Sequence, residues 1–245
     1  MASASAGVTR PHTSRISVIV PTLNEQDHLP ATLRGIILGP GDELIVVDGG
    51  STDRTVTIAQ QFTAQVLHSR PGRAVQMNCG AWHARGDILL FLHADTLLPA
   101  TGLEAVRGVL RDGTVGGAFR LAILPPTLPL RLVAWGTNLR ARFGQLPYGD
   151  QGLFMLRHMF EALGGYAEIP FMEDVRMVQA LRQRGRLTIL PQAVHTSGRR
   201  WQRDGVLYTT MRNTALITLY FWGVPPEKLQ RWYGARRRST RETGA

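Results

Sequence analysis

The feature that most restricts the fold is an alternation running through the first half of the chain. Short β-branched runs, "ISVIVPT" (Ile16 to Thr22), "DELIVVDGG" (Asp42 to Gly50), "AQVLHS" and "GDILLFLHADT" (Gly86 to Thr96), alternate with stretches of helical period. "EQDHLPATLRGIIL" places Leu29, Leu33, Ile36 and Ile37 on one side of a predicted helix. "STDRTVTIAQQF" offers Ser51 or Asp53 as a helix N-cap, and Arg73 to Ala84 reads as a third helix. Strands that alternate with helices form βαβ units and a mostly parallel sheet. The expected class is therefore α/β.

Three of these runs end in polar residues: Pro21-Thr22-Leu23-Asn24-Glu25, Asp48-Gly49-Gly50-Ser51-Thr52-Asp53 and His93-Ala94-Asp95. Ligands of open parallel sheets bind beyond the carboxyl ends of the strands. The three clusters thus share one edge and predict a binding crevice. Asp95 is the sharpest signal. A carboxylate that closes the apolar run Ile88 to Leu92 is costly unless a metal ion or a ligand compensates it.

The second half is less regular. "VGGAFRLAI" and "RLTILPQAVHTS" read as strands, and "PYGDQGLFML" as a turn and strand. "LPLRLVAWGTNLRARFG", "RHMFEALGGY" and "MEDVRMVQALRQRG" read as helices, and a helical tail runs from about Asp204 to Tyr233. No repeat or linker splits the chain. The expected organisation is a disordered lead-in over 1–14, one domain over 15–201 and a helical, basic extension over 202–245.

Charge narrows the partners. Lys and Arg number 28 against 18 Asp and Glu, a net charge of +10, which suits anionic ligands. No Gly-x-Gly-x-x-Gly follows the first strand and no Gly-x-x-x-x-Gly-Lys occurs, so the usual dinucleotide and phosphate loops are excluded. The Arg residues are dispersed and form no reader motif, so nucleic acid is not an expected partner. Cys79 stands alone, which rules out an internal disulfide and fits a reducing compartment. "MASASAGVTRPHTSR" lacks a signal peptide's apolar stretch, and no segment approaches the roughly 20 apolar residues of a bilayer span. The expected location is the cytoplasm. Two readings stand for the tail, "LITLYFWGV" and "KLQRWYGARRR": peripheral contact with an anionic membrane at the inner face of the plasma membrane, or a helix packed across the core before a solvated end.

Taken in order, "VIVPTLNE", "ELIVVDGGSTDRT", "GRAVQMNCGA", "GDILLFLHADT" and "PFMEDV" resemble glycosyltransferase family 2, with its GT-A fold, a nucleotide-binding α/β/α sandwich. The resemblance covers roughly Ile16 to Trp201. "GRAVQMN", "FLHAD", "GDQG" and "TSGRRW" are most similar to a small bacterial subgroup labelled with arsenosugar biosynthesis. The resemblance implies transfer of one sugar, with inversion, from a nucleotide-sugar donor to the hydroxyl of a small-molecule or lipid acceptor. UDP is the favoured nucleotide, with GDP and dTDP open.

The resemblance also distributes roles. Pro21, Thr22, Asn24, Glu25, Asp48 and Gly50 would cradle the nucleoside, Glu25 and Asp48 accepting hydrogen bonds from ribose or base. Asp95 takes the place of the last acid in the family's D-x-D signature, which binds Mn²⁺ or Mg²⁺ on the donor diphosphate. His93 replaces the first acid and is assigned to the nucleotide sugar, with metal coordination and plain packing as its alternatives. Arg73 would reach phosphate oxygens, while Asn78 reads equally as a donor contact or a core amide. Glu173 and Asp174 match the family's E-D pair, Asp174 as the base and Glu173 as a positioning residue. Asp150 and Gln151 fall on the acceptor side with Arg200 and Trp201, and Arg199 is a candidate diphosphate contact. His195 is either a further metal ligand or a structural histidine. Ser197 stands where processive members carry Gln, which favours a single transfer. Competing readings are a nucleotidyltransferase acting on a sugar phosphate and a non-catalytic nucleotide-sugar binding module. Oligomeric state is left open.

Overall fold

A computed structural model of the chain describes residues 14–110 and 114–233. Four parallel strands form one half of the sheet: β1 (Ile16–Thr22), β2 (Glu43–Asp48), β3 (Val66–His68) and β4 (Ile88–Phe91), in the spatial order β3-β2-β1-β4. The crossovers are α1 (Leu29–Arg34), α2 (Thr55–Ala59) and α3 (Arg73–His83). Alternate residues serve opposite faces. Val18, Val20 and Leu90 belong to one buried cluster, while Ile19, Leu89 and Phe91 belong to another. Both sides of the sheet are covered, which is why β1 and β4 read as continuous apolar runs. Gly80 shows how closely α3 lies on the sheet, since a Cβ there would stand 2.5 Å from Ile19 Cγ2.

Beyond β4 the sheet continues with β7 (Leu153–Leu156), β6 (Thr114–Leu124), β8 (Arg186–Ser197) and the short edge strand β5 (Thr96–Leu97). β7 runs antiparallel to both β4 and β6, β6 is parallel to β8, and β5 is antiparallel to β8. This half also carries helices α4 (Gly102–Val109), α5 (Leu128–Gly144), α6 (Arg157–Ala162), α7 (Glu173–Arg182), α8 (Arg199–Asp204) and α9 (Val206–Phe221), and a 3₁₀ turn at Gly149–Gln151. Residues 226–233 are helical as well.

Two local expectations need correction. α1 stops at Arg34, so Ile36 and Ile37 are not part of it, and Ile37 is exposed. The chain is already turning there: the Asp42 carboxylate accepts the Gly39 N–H at 2.8 Å and the Ile16 N–H at 2.9 Å, fixing the approach to β2. α2 begins only at Thr55. Asp53 still works at its start by accepting the Thr55 N–H at 2.9 Å, although Arg54 occupies the cap position.

The tail packs inward. Leu216 and Leu229 join Met172 and Val175 in a third buried cluster, with Ile217, Leu219, Tyr220 and Tyr233 against it. Ile217, Leu219 and Tyr220 of the apolar run therefore pack inward, whereas Phe221 and Trp222 are 48% and 78% exposed. The lead-in and the Arg-rich end lie outside the described residues. No helix among the described residues is long and apolar enough to cross a membrane.

Candidate active site

Because β2, β1 and β4 are parallel neighbours, their carboxyl ends emerge together. Thr22 pairs with Asp48 in register, and His93 to Asp95 follow β4 directly. Gln76 of α3, which sequence reasoning missed, locks this edge by donating to the carbonyls of Thr22 and Val47 at 2.7 and 2.9 Å. Only its position on the sheet-facing side of "RAVQMN" could have signalled it.

Asp48 is buried at 2% exposure. Its Oδ2 accepts the N–H groups of Gly50 and Ser51, both at 2.9 Å, which shapes the turn. Its Oδ1 is buried without a partner. A buried carboxylate oxygen with no donor is costly, so any N–H or O–H that gained access to it would be held well. Asn24 takes φ 53° and accepts the Thr52 N–H at 2.9 Å, while Ser51 Oγ accepts the Asn24 N–H at 2.9 Å. The two strand-end loops are thereby tied to one another, with Pro21 half-buried and Gly50 exposed at their rim.

Glu25 and Asp95 share one guanidinium. Arg199, at the start of α8, grips Glu25 through two hydrogen bonds of 2.9 and 2.5 Å, and its Nη2 lies 3.2 Å from Asp95. Glu25 is thus held in a salt bridge rather than left open. Among the described residues no three His, Cys, Asp or Glu side chains gather into a metal cage. His195 is half-buried on β8 opposite Leu97, while Asp95 accepts the Ser197 N–H through its carbonyl. Two partly exposed carboxylates gathered on one guanidinium nonetheless suit a hard divalent ion that takes most of its ligands from phosphates and water. The donor set fits.

A second constellation lies beside the first. α7 opens with Glu173 and Asp174, and Arg73 at the start of α3 reaches Glu173 at 3.1 Å. Glu173 is 4% exposed, and burial pushes its carboxyl up, with Arg73 opposing and Asp174 adding to the shift. Arg73 keeps 40% of its side chain exposed. Asp174 accepts the Gly149 N–H at 2.7 Å and the Val175 N–H at 2.8 Å. Gly149 separates Asp174 from His93: a Cβ there would stand 3.1 Å from His93 Nε2 and 3.2 Å from Asp174 Oδ2. His93 Nε2 is buried without a partner. Burial, then the charges of Arg73 and Arg200, holds this imidazole well below its usual range, so it is neutral near pH 7.

Asp150 completes the group. Burial raises its carboxyl to about 6; Arg140 opposes the rise and Asp174 adds to it. Its Oδ1 is buried with no partner. Arg140 itself stacks on the Tyr148 ring at 3.5 Å, an anchor for this loop that the sequence did not reveal. Asp150 and Asp174 thus flank Gly149 next to a neutral imidazole, an arrangement able to move a proton.

Other expected contacts have partners within the fold. Gln151 is fully buried; its amide donates to Phe119 O at 3.0 Å and accepts the Tyr148 N–H at 3.2 Å, so it cannot face an acceptor. Asn78 clamps the backbone of Tyr166 in both directions, at 2.9 and 2.8 Å, which resolves it as a core amide. Trp201 is half-buried and packs against the first core cluster. Arg200 is exposed and donates to Tyr233 Oη at 3.0 Å.

A mostly parallel sheet with carboxylates at its strand ends, facing a helix that begins with an acidic pair, is the architecture of GT-A glycosyltransferases. The sequence profile of glycosyl transferase family 2 matches residues 17–160, and the chain belongs to that family. A PGL/p-HBAD biosynthesis glycosyltransferase of Mycobacterium tuberculosis is 44% identical over 91 residues, which is 34% of this chain and 36% of that protein. An uncharacterized glycosyltransferase of the same species is 35% identical over 99 residues, 40% of this chain and 44% of that one. The matched stretch spans less than half of either relative. Among solved structures, a mannosyltransferase from Pyrobaculum calidifontis in complex with GDP-Man and Mn²⁺ aligns with TM-score 0.61 at 22% identity, over 76% of this chain and 57% of that one. Glucosyl-3-phosphoglycerate synthase from Mycobacterium tuberculosis, with Mn²⁺, UDP and glucosyl-3-phosphoglycerate, aligns with TM-score 0.60 at 20% identity, over 87% of this chain and 81% of that one.

Proposed function

We propose that the chain transfers a single sugar from a UDP-linked donor to an acceptor hydroxyl, with inversion at the sugar carbon. The observation that carries this reading is the juxtaposition of Asp174, Asp150 and neutral His93 around Gly149. It lies beside an edge where Asp48 keeps an unpaired acceptor. A nucleoside docks between the loops that follow β1 and β2, where a shift of the turn after β2 would bring that buried oxygen to a base N–H or ribose hydroxyl. Arg73 presents the remaining part of its fork to phosphate oxygens while its other nitrogen holds Glu173 in place.

Mn²⁺ or Mg²⁺, when bound, neutralises charge on the departing diphosphate. Asp95 and Glu25 would hold it, with His195 as the remaining candidate ligand. Asp174 accepts the proton of the acceptor hydroxyl. The acceptor oxygen attacks the anomeric carbon as the bond to the diphosphate oxygen breaks, and the electron pair leaves with the diphosphate. One direct displacement inverts the centre. Asp150 is the second reading for the base, because an unpaired oxygen and a pKa of about 6 suit proton transfer near neutral pH.

The test is hydrolysis and transfer from a panel of nucleotide sugars with Mn²⁺, repeated with Asp174→Asn and Asp150→Asn. Loss of turnover in the first variant alone assigns Asp174, and loss in the second alone assigns Asp150. Pyrophosphate release from a nucleoside triphosphate and a sugar phosphate would replace the reading with a nucleotidyltransferase. Nucleotide-sugar binding without turnover would leave a binding module.

A further inference from the structure

Helix α5 carries an apolar face that no described residue covers. Leu128, Leu132, Trp135, Leu139 and Phe143 are between 44% and 75% exposed. At about 100° per residue the five fall within an arc of about 80°, along roughly 24 Å of helix. The opposite side, Leu130, Ala134 and Ala141, is the one buried against the body of the protein. A surface helix is ordinarily apolar on its core side alone; α5 is apolar on both. A contiguous outward stripe of this kind marks a binding surface.

Its charge identifies the occupant. Arg131 and Arg142 are exposed along one flank of the stripe, and α5 contains no acidic residue. The acid-free stretch is longer still, since no Asp or Glu occurs between Asp112 and Asp150. Leu, Trp and Phe edged by Arg is the composition of helices that lie in the surface of an anionic membrane. A second copy fits less well, because each copy would bring an Arg-edged face and a net charge of +10. The helix also leads directly to the active site. Arg140 of α5 stacks on Tyr148, and the next residue, Gly149, donates to Asp174.

We propose that the outward stripe of α5 seats the chain on an anionic bilayer and holds the Tyr148–Asp150 loop at the lipid surface, where an acceptor carried by a lipid would meet Asp174. The membrane contact stands by itself; the acceptor class rests on the transferase reading.

Flotation of the full chain with phosphatidylcholine vesicles, with and without phosphatidylglycerol and without nucleotide, tests the contact. Binding to the phosphatidylglycerol vesicles alone is expected. Trp135→Glu with Leu139→Glu should weaken it at least tenfold at an unchanged melting temperature. Arg131→Ala with Arg142→Ala should weaken it and flatten its salt dependence. Should the Glu variant melt early, quenching of tryptophan fluorescence by brominated lipid decides, because Trp135→Phe must lose the quenched component. Absence of flotation, or equal flotation by all variants, overturns the proposal. So does a dimer in sedimentation that the Glu variant dissolves, which would give the face to a second copy. Flotation without turnover of any nucleotide sugar would sink the transferase reading and leave the membrane contact standing.

Discussion

Arg199 and Glu25 are 174 residues apart in sequence and joined by two hydrogen bonds, with Asp95 3.2 Å from the same guanidinium. Arg199 thus places positive charge where a divalent ion would otherwise balance the carboxylates. Arg199→Ala should lower stability by about 1 kcal/mol, a figure already discounted for the partial exposure of the pair. It should also make Mn²⁺ a stronger stabiliser than in the parent. Thermal melts with and without Mn²⁺ check both; an identical Mn²⁺ shift would remove Glu25 and Asp95 as its holders.

Gly149 is the spacer between His93 and Asp174. Gly149→Ala inserts a methyl group at 3.1 and 3.2 Å from them, so one must give way. Turnover should fall about tenfold or more, while the Michaelis constant for the donor changes little. Steady-state kinetics with the donor varied separates these effects. A rise in that constant at full turnover would place Gly149 on the donor side instead.

Asp150 binds its proton more tightly in the folded chain, at about 6 against an ordinary 3.8. The sign follows from linkage. Its contribution to stability is complete below the unfolded value and is lost as pH rises through 6, amounting to about 2 to 3 kcal/mol. Asp150→Asn should therefore be more stable than the parent at about pH 8 and should flatten that part of the profile. Urea denaturation across this range tests it, and an unchanged slope would mean that another group carries the effect.

Asp48→Asn keeps an oxygen for the Gly50 and Ser51 N–H groups but replaces the unpaired acceptor with a donor. UDP affinity should drop at least about tenfold, as expected for losing a hydrogen bond to a charged group. Calorimetry at fixed Mn²⁺ measures it. Equal affinity would show that the buried oxygen is not where the nucleoside docks.

What the sequence disclosed follows period and adjacency. The strand runs and their polar ends were legible because parallel neighbours must emerge on one edge, and α5 was legible to the residue. Long-range pairing was not. Nothing local in "YGDQG" tells that Gln151 turns into the sheet while Asp150 stays at the site. The clamp of Asn78 on Tyr166 spans 88 residues, and the grip of Arg199 on Glu25 is longer still. Direction was also hidden. The period of α5 shows a helix with leucines on every side, but only packing distinguishes Leu130 from Leu132.

Met172 and Val175 bracket Glu173 and Asp174, and Leu216 and Leu229 from the tail cover them. The segment beyond Trp201 is therefore a buttress for the helix that carries the acidic pair. A shortened version ending at Trp201 would strip this backing from α7, so its inactivity would report a collapsed support rather than a missing chemical group.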